Sequence, residues 1–289
     1  MTALIALLLV AAPDFSTVEI KSVKVAGNVY VLYGAGGNIG VTVGDDGVAI
    51  VDDQYAPLSP RIHAALAQLS PKPVRFVINT HWHPDHVGGN ALFADAATIF
   101  AHANVRNRMM AGIKTAHFEV APAEPKALPI VTFEQGLSLW WNGEEIRAIH
   151  LPPGHTDGDT AVWFVKSNVV HLGDDFATLG FPFIDLDSGG SVAGVVAALD
   201  TLLPQIPKDA KIIPGHGQVS SVDDLRKYRS GLEEMVAAVK KGLGAGKTVA
   251  QLQKEHVLAP WEPAWSRKDG WVTADSFIAT IAQDLSARR

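Results

Sequence analysis

Four potential metal ligands lie within six residues of this chain, in the segment His81-Trp82-His83-Pro84-Asp85-His86. The segment follows Val74 to Ile78, an apolar run that predicts a short buried strand. Pro84 and the pair Gly88-Gly89 favour a tight loop over a regular helix. Close imidazoles are costly to hold together without a metal or a charge partner, and zinc binds both imidazole nitrogen and carboxylate oxygen. The cluster therefore predicts a metal site at the end of a strand. His81 and His83 can face one ion, and Asp85 and His86 a second.

Three further loops place a potential ligand just past a predicted strand. They are Gly154-His155-Thr156-Asp157-Gly158, Gly173-Asp174-Asp175 and Pro214-Gly215-His216-Gly217. Each loop alone is typical of an ordinary turn. Together with the histidine cluster they predict one shared site, because sheet proteins commonly carry their functional residues on such loops. Asp174 and Asp175 are both candidates in the second loop.

The composition limits what this site can be made of. The chain has no cysteine, which excludes disulfides, thiolate zinc sites and a cysteine nucleophile. It has 11 histidines, so a transition-metal site must use imidazole and carboxylate. No G-x-S-x-G segment is present to suggest a serine nucleophile.

Charge and length limit the partners. The 289 residues can bury a sizeable core, and the formal net charge is −6 without a long run of Lys and Arg. We therefore expect a small-molecule substrate and no nucleic acid. The oligomeric state is left open by the sequence.

The N-terminus carries a signal-like pattern. Leu4 to Ala12 is apolar and ends in the small residues Ala11 and Ala12, although no positive charge precedes it. The run is too short to span a bilayer as a helix, so we expect no stable membrane insertion. We expect a signal-like segment at residues 1–14 and a single domain at 15–289. The pattern favours a periplasmic or secreted protein, with a cytoplasmic one as the alternative.

The order of predicted elements indicates a mixed α/β (α+β) fold with two sheets covered by helices. Short hairpins after Phe15 precede a helix over Pro57 to Leu69, and strands return from Leu137 to Leu172. A second helix follows from Ser191 to Leu203, and a long one opens at the capping box of Ser221 and Asp224. The stretch 103–132 predicts an irregular insertion or a lid-like loop.

The motifs resemble those of the metallo-β-lactamase superfamily across nearly the whole chain after Phe15. The matching residues are, in order, Asp52, the group His81, His83, Asp85 and His86, and then His155, Asp174 and His216. The resemblance implies a four-layer αββα sandwich. It implies His81, His83 and His155 as ligands of a first ion, and Asp85, His86 and His216 as ligands of a second. Asp174 would bridge the ions, since the family's bridging carboxylate directly follows the glycine, and Asp52 would orient the ligand loop.

The resemblance also implies a chemistry. Two Zn²⁺ per chain would provide a metal-bound hydroxide that attacks a carbonyl substrate such as a lactam, lactone, ester or thioester. Asp85 would then be catalytic as well as a ligand. One alternative is an oxidoreductase with a single Fe²⁺, similar to the sulfur dioxygenases of the same family. Another is a metal-binding module without activity. The intact ligand set favours the hydrolase over both.

Two features bear on the substrate. Family members that hydrolyse β-lactams and have Cys at the bridging position carry a Lys three residues later, and Ala177 stands at that position here. The apolar stretch Phe176 to Asp187 directly follows the candidate ligand, so it either lines a hydrophobic pocket or packs in the core. The same alternatives apply to Trp261, Trp265 and Trp271.

Overall fold

The computed structural model describes residues 14–114, 119–267 and 270–287. The predicted signal-like segment therefore lies outside the described residues, apart from Asp14.

The first half of the chain builds one sheet and its covering helices. In chain order its elements are β1 (Lys21–Ala26), β2 (Val29–Tyr33), β3 (Ile39–Gly44), β4 (Gly47–Val51), α1 (Ser59–Leu69), β5 (Val74–Ile78), α2 (Pro84–Val87), α3 (Asn90–Phe93), β6 (Thr98–His102), α4 (Ala103–Ala111), β7 (Ile113–Lys114), β8 (Glu119–Val120) and β9 (Val131–Phe133). Two short 3-10 helices span Ala56–Leu58 and Pro125–Ala127.

The second half builds the other sheet and ends in helices. Its elements are β10 (Gly136–Trp141), β11 (Glu144–His150), β12 (Thr160–Phe164), β13 (Val169–His171), α5 (Val192–Leu202), β14 (Lys211–Ile213), β15 (Ser220–Ser221), α6 (Val222–Gly244), α7 (Val249–Lys254), α8 (Glu262–Trp265) and α9 (Ala274–Ala287). Two more 3-10 helices span Gly173–Asp175 and Leu186–Ser188.

The strands form two large sheets. One has the order β1-β2-β3-β4-β5-β6-β9 and the other the order β10-β11-β12-β13-β14-β15, while β7 and β8 make a separate hairpin. Strands β4, β5, β6 and β9 run parallel to one another, and so do β13 and β14. Parallel strands end at the same edge of a sheet, so the loops that follow them are neighbours.

Three hydrophobic clusters separate four layers. One fills the space between the first sheet and α1, for example at Ile50 and Ile62. A second lies between the two sheets, where Val31 of the first sheet and Phe164 of the second are both buried. The third packs α5, α6 and α9 against the second sheet. The αββα sandwich implied by the motifs is thereby confirmed.

The parallel strands bring the predicted motifs to one edge. Asp52 follows β4, the histidine cluster follows β5, Asp174 follows β13 and His216 follows β14. His155 lies in the turn between β11 and β12. Strand order brings the loops together within each sheet, and the packing of the two sheets brings both sets to one edge.

Two expectations about the loops are wrong. The histidine cluster contains a one-turn helix, α2, in which Pro84 occupies the first position, where a missing backbone N–H costs no hydrogen bond. The start of the 103–132 stretch is also helical, because α4 buries Val105 and Met109 and the His102 side chain caps its first turn. Because only these two apolar residues of α4 face the core, its sequence shows no clear helical spacing of apolar residues.

The remaining helices agree with the sequence. Helix α1 begins two residues later than its predicted start, and α5 begins directly after its N-cap Ser191. The Ser221–Asp224 capping box is present at the start of α6. Within the described ranges, no helix combines the length and apolar character needed to cross a membrane.

The C-terminal helix is tied to the start of α5 by one buried carboxylate. Asp284 accepts hydrogen bonds from the Ser191 hydroxyl (2.9 Å) and the Val192 backbone N–H (3.0 Å). Asp284→Ala leaves those buried donors without this acceptor, so we expect the free energy of unfolding to fall by about 2 kcal/mol. Urea unfolding would measure the change. The control is Gln283→Ala, which alters an exposed neighbour on the same helix. Equal stability of the two variants would contradict this role for Asp284.

Candidate metal centre

All seven predicted ligands converge at the sheet edge in three overlapping groups. The groups are His81, His83 and His155; His81, His86 and Asp174; and Asp85, His86 and His216. Within each group the ligand atoms lie within 4.8 Å of one another. Ligand atoms around a tetrahedral zinc ion would be roughly 3.3 Å apart, given bonds of about 2.0–2.1 Å. The spacing is therefore of the size that a metal ion requires.

Asp174 lies between the two histidine sets. Its Oδ1 is 3.2 Å from His86 Nε2, and its Oδ2 is 3.3 Å from His216 Nε2 and 3.7 Å from His155 Nε2. The ring nitrogens of His83 and His155 face each other at 2.8 Å on one side. Those of His86 and His216 are 3.4 Å apart on the other. One carboxylate thus reaches both sides, which is the geometry of a bridging ligand.

Four of the ligand histidines have their outward ring nitrogen fixed by an acceptor. His81 Nδ1 donates to the Thr80 hydroxyl (3.0 Å), His83 Nε2 to Asp185 (2.9 Å), His86 Nδ1 to Asp52 (2.7 Å) and His155 Nδ1 to the carbonyl of Phe183 (2.8 Å). A neutral imidazole that donates from one nitrogen offers a lone pair at the other. The acceptors therefore turn the lone pairs of all four rings toward the centre.

Asp52 connects three parts of this network. Besides His86, its fully buried carboxylate accepts hydrogen bonds from the Thr80 backbone N–H (2.7 Å) and hydroxyl (2.7 Å). Its backbone has a φ of 63°, a left-handed conformation that is unfavourable for a residue with a side chain. In this backbone conformation, the carboxylate of Asp52 reaches from the end of β4 to the loop after β5. Asp52 thus orients the ligand loop, as the family resemblance implied.

Asp175 has a different role from Asp174. It is fully buried, and its Oδ1 accepts a hydrogen bond from the backbone N–H of His155 (3.1 Å). Burial and the nearby Asp159 raise the pKa of Asp175 well above its usual value, which favours the protonated form. The 3-10 turn Gly173–Asp175 turns these neighbouring side chains in different directions. Of the two candidates, only Asp174 faces the metal ligands.

Helix α4 secures the loop that carries His155. Arg108 forms a bidentate ion pair with Asp157 at 2.6 and 2.7 Å, and Asn104 donates to the Asp157 carbonyl (2.9 Å). Bidentate arginine–carboxylate pairs fix orientation as well as position. The region expected to be a lid therefore supports a ligand loop.

The electrostatics of the site favour a cation. Burial opposes ionisation of Asp174, but His216, His86 and His155 outweigh it and hold the pKa of Asp174 well below its usual value. Burial lowers the pKa of His155 to about 4 and that of His81 well below its usual range. Burial opposes protonation of His216 and His86, but Asp174 and Asp85 outweigh it and raise the pKa of His216 to about 10 and that of His86 well above its usual range. A metal ion would displace these protons and replace them as the counter-charge of the carboxylates, because metal binding needs neutral imidazoles.

Two buried atoms provide a direct test of the fit. Among the described residues, no hydrogen-bond partner reaches buried His81 Nε2, and the 3.2 Å ion-pair contact of Asp174 Oδ1 with His86 Nε2 lacks the geometry of a hydrogen bond. Buried polar atoms seldom lack a partner, and those that do call for an explanation. Both atoms point into the ligand groups, so a bound metal ion would satisfy them. The residues present therefore fit a metal centre.

The Gly34-Ala35-Gly36-Gly37 turn packs directly on this centre. A Cβ atom at Gly37 would lie 2.2 Å from His86 Cε1, far inside van der Waals contact. The turn joins β2 to β3, which agrees with a hairpin loop. Its glycines let the backbone approach the ligands.

A cavity of about 410 Å³ opens above the ligands. Its floor includes His83, Asp85, Asp174 and His216, and its walls include Tyr55, Ala177, Leu179, Phe183, Trp271 and Val272. In the described part of the chain, no lysine or arginine lines this space. The cavity is therefore apolar above a charged floor, and its volume lies in the range of small-molecule sites.

The aromatic residues divide between core and cavity. Phe181 is 4% exposed and packs on Phe277, although it also lines the cavity, and Trp265 stacks on Tyr228 against the core. Phe183, in contrast, is only partly buried and contacts Trp271, with ring centroids 4.6 Å apart. The sequence left core packing and pocket lining open as alternatives. Trp265 packs against the core, and Phe183 and Trp271 line the cavity, so both occur.

The sequence did not identify Asp185 or the Phe183 carbonyl as supports of the site. Asp185 is 102 residues from the His83 that it orients, and nothing in its local pattern distinguishes it from a turn residue. Thr80 could have been recognised, since it directly precedes His81 at the strand end.

The sequence and the fold both resemble those of known proteins. The sequence profile of the Metallo-beta-lactamase superfamily matches residues 26–236. Among characterised proteins, the alpha subunit of 2,4-dinitroanisole O-demethylase from Nocardioides sp. (strain JS1661) is 32% identical over 140 residues. That match covers 47% of this chain and 40% of the subunit, so it spans less than half of that protein.

Solved structures share the fold at low identity. A double mutant of the sec-alkyl sulfatase PisA1 has a TM-score of 0.70 and 16% identity, covering 91% of this chain and 50% of the sulfatase. The DIM-1 metallo-beta-lactamase has a TM-score of 0.62 and 18% identity, covering 75% of this chain and 99% of that enzyme. Likeness at such identities is a likeness of fold.

The role of Asp185 can be tested through metal affinity. Asp185→Asn keeps an oxygen for the backbone N–H of Ser188 but removes the carboxylate that accepts from His83. Loss of such a support typically weakens metal binding by about 10- to 100-fold. Competition with a chelating dye would measure zinc affinity. Asp187→Asn is the matched control, since Asp187 is exposed on the same loop. Unchanged affinity in Asp185→Asn would contradict the assignment.

Proposed function

We propose that this chain, which belongs to the metallo-beta-lactamase superfamily, is a hydrolase that uses two zinc ions to cleave a small carbonyl substrate. The substrates that suit this chemistry are lactams, lactones, esters and thioesters. Zinc matches the donor set, because the ligands are imidazoles and carboxylates without a thiolate.

The observation that carries the proposal is the position of Asp174 between two complete sets of ligands. His81, His83 and His155 are sufficient for one ion, and Asp85, His86 and His216 for another. A site for one ion would leave three buried or half-buried ligands without a purpose. Two ions sharing one carboxylate use all seven.

Two bound cations would supply a water of lowered pKa and a Lewis-acid contact for the substrate oxygen. Asp85 is placed to take part in proton transfer during this reaction, because it lines the cavity and its Oδ2 is 3.2 Å from His216 Nε2. Burial opposes its ionisation, but His86 and His216 lower the pKa of Asp85 to about 2. Its ionised carboxylate could accept a hydrogen bond from a water and then that water's proton, and its low pKa would favour passing the same proton on to the leaving group.

Tyr55 adds a neutral donor on the cavity wall. Burial, together with Asp85 and Asp174, raises its pKa to about 12, so the hydroxyl keeps its proton near neutral pH. A protonated hydroxyl beside the site can donate to a substrate oxygen on which negative charge develops.

An oxidoreductase with one Fe²⁺ is the alternative. It would need only His81, His83 and His155 with Asp174, and it gives no reason for the second set. The name of the demethylase relative describes a reaction of that protein, and its match is partial. Metal identity separates the two functions.

Metal content tests the proposal first. Purified protein should contain close to two zinc ions per chain, because both ligand sets are complete. Elemental analysis by mass spectrometry would measure the ratio, and a chelator should abolish ester hydrolysis until zinc is restored. One iron ion per chain would favour the oxidoreductase, and protein without metal or metal dependence would contradict both functions.

Kinetics on a chromogenic cephalosporin test the substrate class. We expect slow turnover with poor saturation, because Ala177 provides no cation for the substrate carboxylate. Ala177→Lys should lower KM by roughly 10- to 100-fold, the effect of a charge-assisted contact of about 1.5–3 kcal/mol. Gln68→Lys adds the same charge on the exposed face of α1 and serves as control. Tight saturation in the unmodified enzyme would show that another cation already binds the carboxylate.

A further inference from the structure

We propose that the cavity takes an uncharged aromatic substrate, whose ring lies against Phe183 and Trp271. The inference rests on the proposed function in one respect, namely that this cavity is the substrate site. It goes further by assigning a ring-binding subsite and a substrate class.

An aromatic wall extends from the metal ligands to solvent. The Phe183 ring lies 5.9 Å from the centroids of both His83 and His155, and 4.6 Å from Trp271. Trp271 is 72% exposed although it lines the cavity. An exposed tryptophan in contact with a half-buried phenylalanine gives a ligand ring a surface on which it can pack in an offset or tilted arrangement.

The described walls of the cavity disfavour a charged group on the substrate ring. The acidic groups among the described lining residues are Asp85 and Asp174, both on the floor and both metal ligands in the proposed site. Above them the walls are aliphatic or aromatic, with the Tyr55 hydroxyl as a neutral polar group. A charged group on the ring would lose its hydration against these walls without an ion-pair partner among them.

Phe183 connects ring binding to the metal site. Its backbone carbonyl accepts the hydrogen bond from His155 Nδ1, so the residue that contacts the substrate ring also orients a ligand. The reactive group of a ring packed on this wall would therefore lie above the ligands with little freedom to move. The backbone of Phe183 holds a ligand while its side chain contacts the substrate ring. The distance between the ring and the ligands on the cavity floor is therefore fixed.

Binding of small amides tests the subsite without requiring turnover. Benzamide, cyclohexanecarboxamide and terephthalamate are, in order, an aromatic probe, a saturated ring of similar size and an aromatic probe with a negative charge. We expect the purified protein to bind benzamide about tenfold more tightly than either of the others, measured by ligand-observed NMR titration. Trp271→Ala should remove most of this preference. Trp140→Phe is the control, because Trp140 is 73% exposed on a strand at the edge of the second sheet.

Each other outcome overturns the inference. Equal affinity for benzamide and cyclohexanecarboxamide would show an apolar pocket without preference for aromatic rings. Tighter binding of terephthalamate would show that a cation recognises the substrate. Loss of binding in Trp140→Phe as well as in Trp271→Ala would show that benzamide binds outside the cavity. If benzamide does not bind at all, the cavity has no ring-binding subsite. Because the probes are amides read by equilibrium binding, failure of ester hydrolysis alone would count against the proposed function and leave this result unaffected.

Discussion

The site depends on the direction in which buried imidazole rings point. Four lone pairs can converge only if the opposite nitrogen of each ring donates to an acceptor of its own. Thr80, Asp185, Asp52 and the Phe183 carbonyl provide those acceptors. Thr80 and Asp52 follow strands of the first sheet, whereas Asp185 and Phe183 follow β13 of the second, so the bond from His83 to Asp185 requires the two sheets to meet in one register. The strained backbone of Asp52 and the burial of Asp175 are costs that serve this arrangement.

The same network joins the metal site to the cavity. Asp185 and Phe183 lie on the loop between Gly173–Asp175 and α5, and both hold ligand histidines from behind. The side chain of Phe183 then faces the cavity. A substrate that packs on this loop therefore contacts the element that orients the ligands, which couples substrate shape to the geometry of the metals. The C-terminal segment completes the cavity through Trp271, and Asp284 attaches the following helix to α5.

Much of the fold and the ligand set could be predicted from local patterns. The histidine cluster, the Gly-His and Gly-Asp turns and the Ser221 capping box are short signals with a direct physical meaning, and the structure places the seven candidate ligands together. Helix α4 was missed because only Val105 and Met109 face the core. The acceptor Asp185 was missed because its partner is distant in sequence, and a carboxylate in a turn carries no local mark of its role. The division of Phe181, Phe183 and the tryptophans between core and cavity depends on tertiary packing, which periodicity does not encode.

We propose that two metal ions bind on either side of Asp174. Anomalous diffraction from crystals of the zinc-loaded protein, recorded above and below the zinc absorption edge, would locate the ions without assumptions about chemistry. We expect two peaks roughly 3.5–4 Å apart, one beside His81, His83 and His155 and the other beside Asp85, His86 and His216. A single peak at the first group, with Asp85 and His216 turned away from it, would contradict the two-metal account.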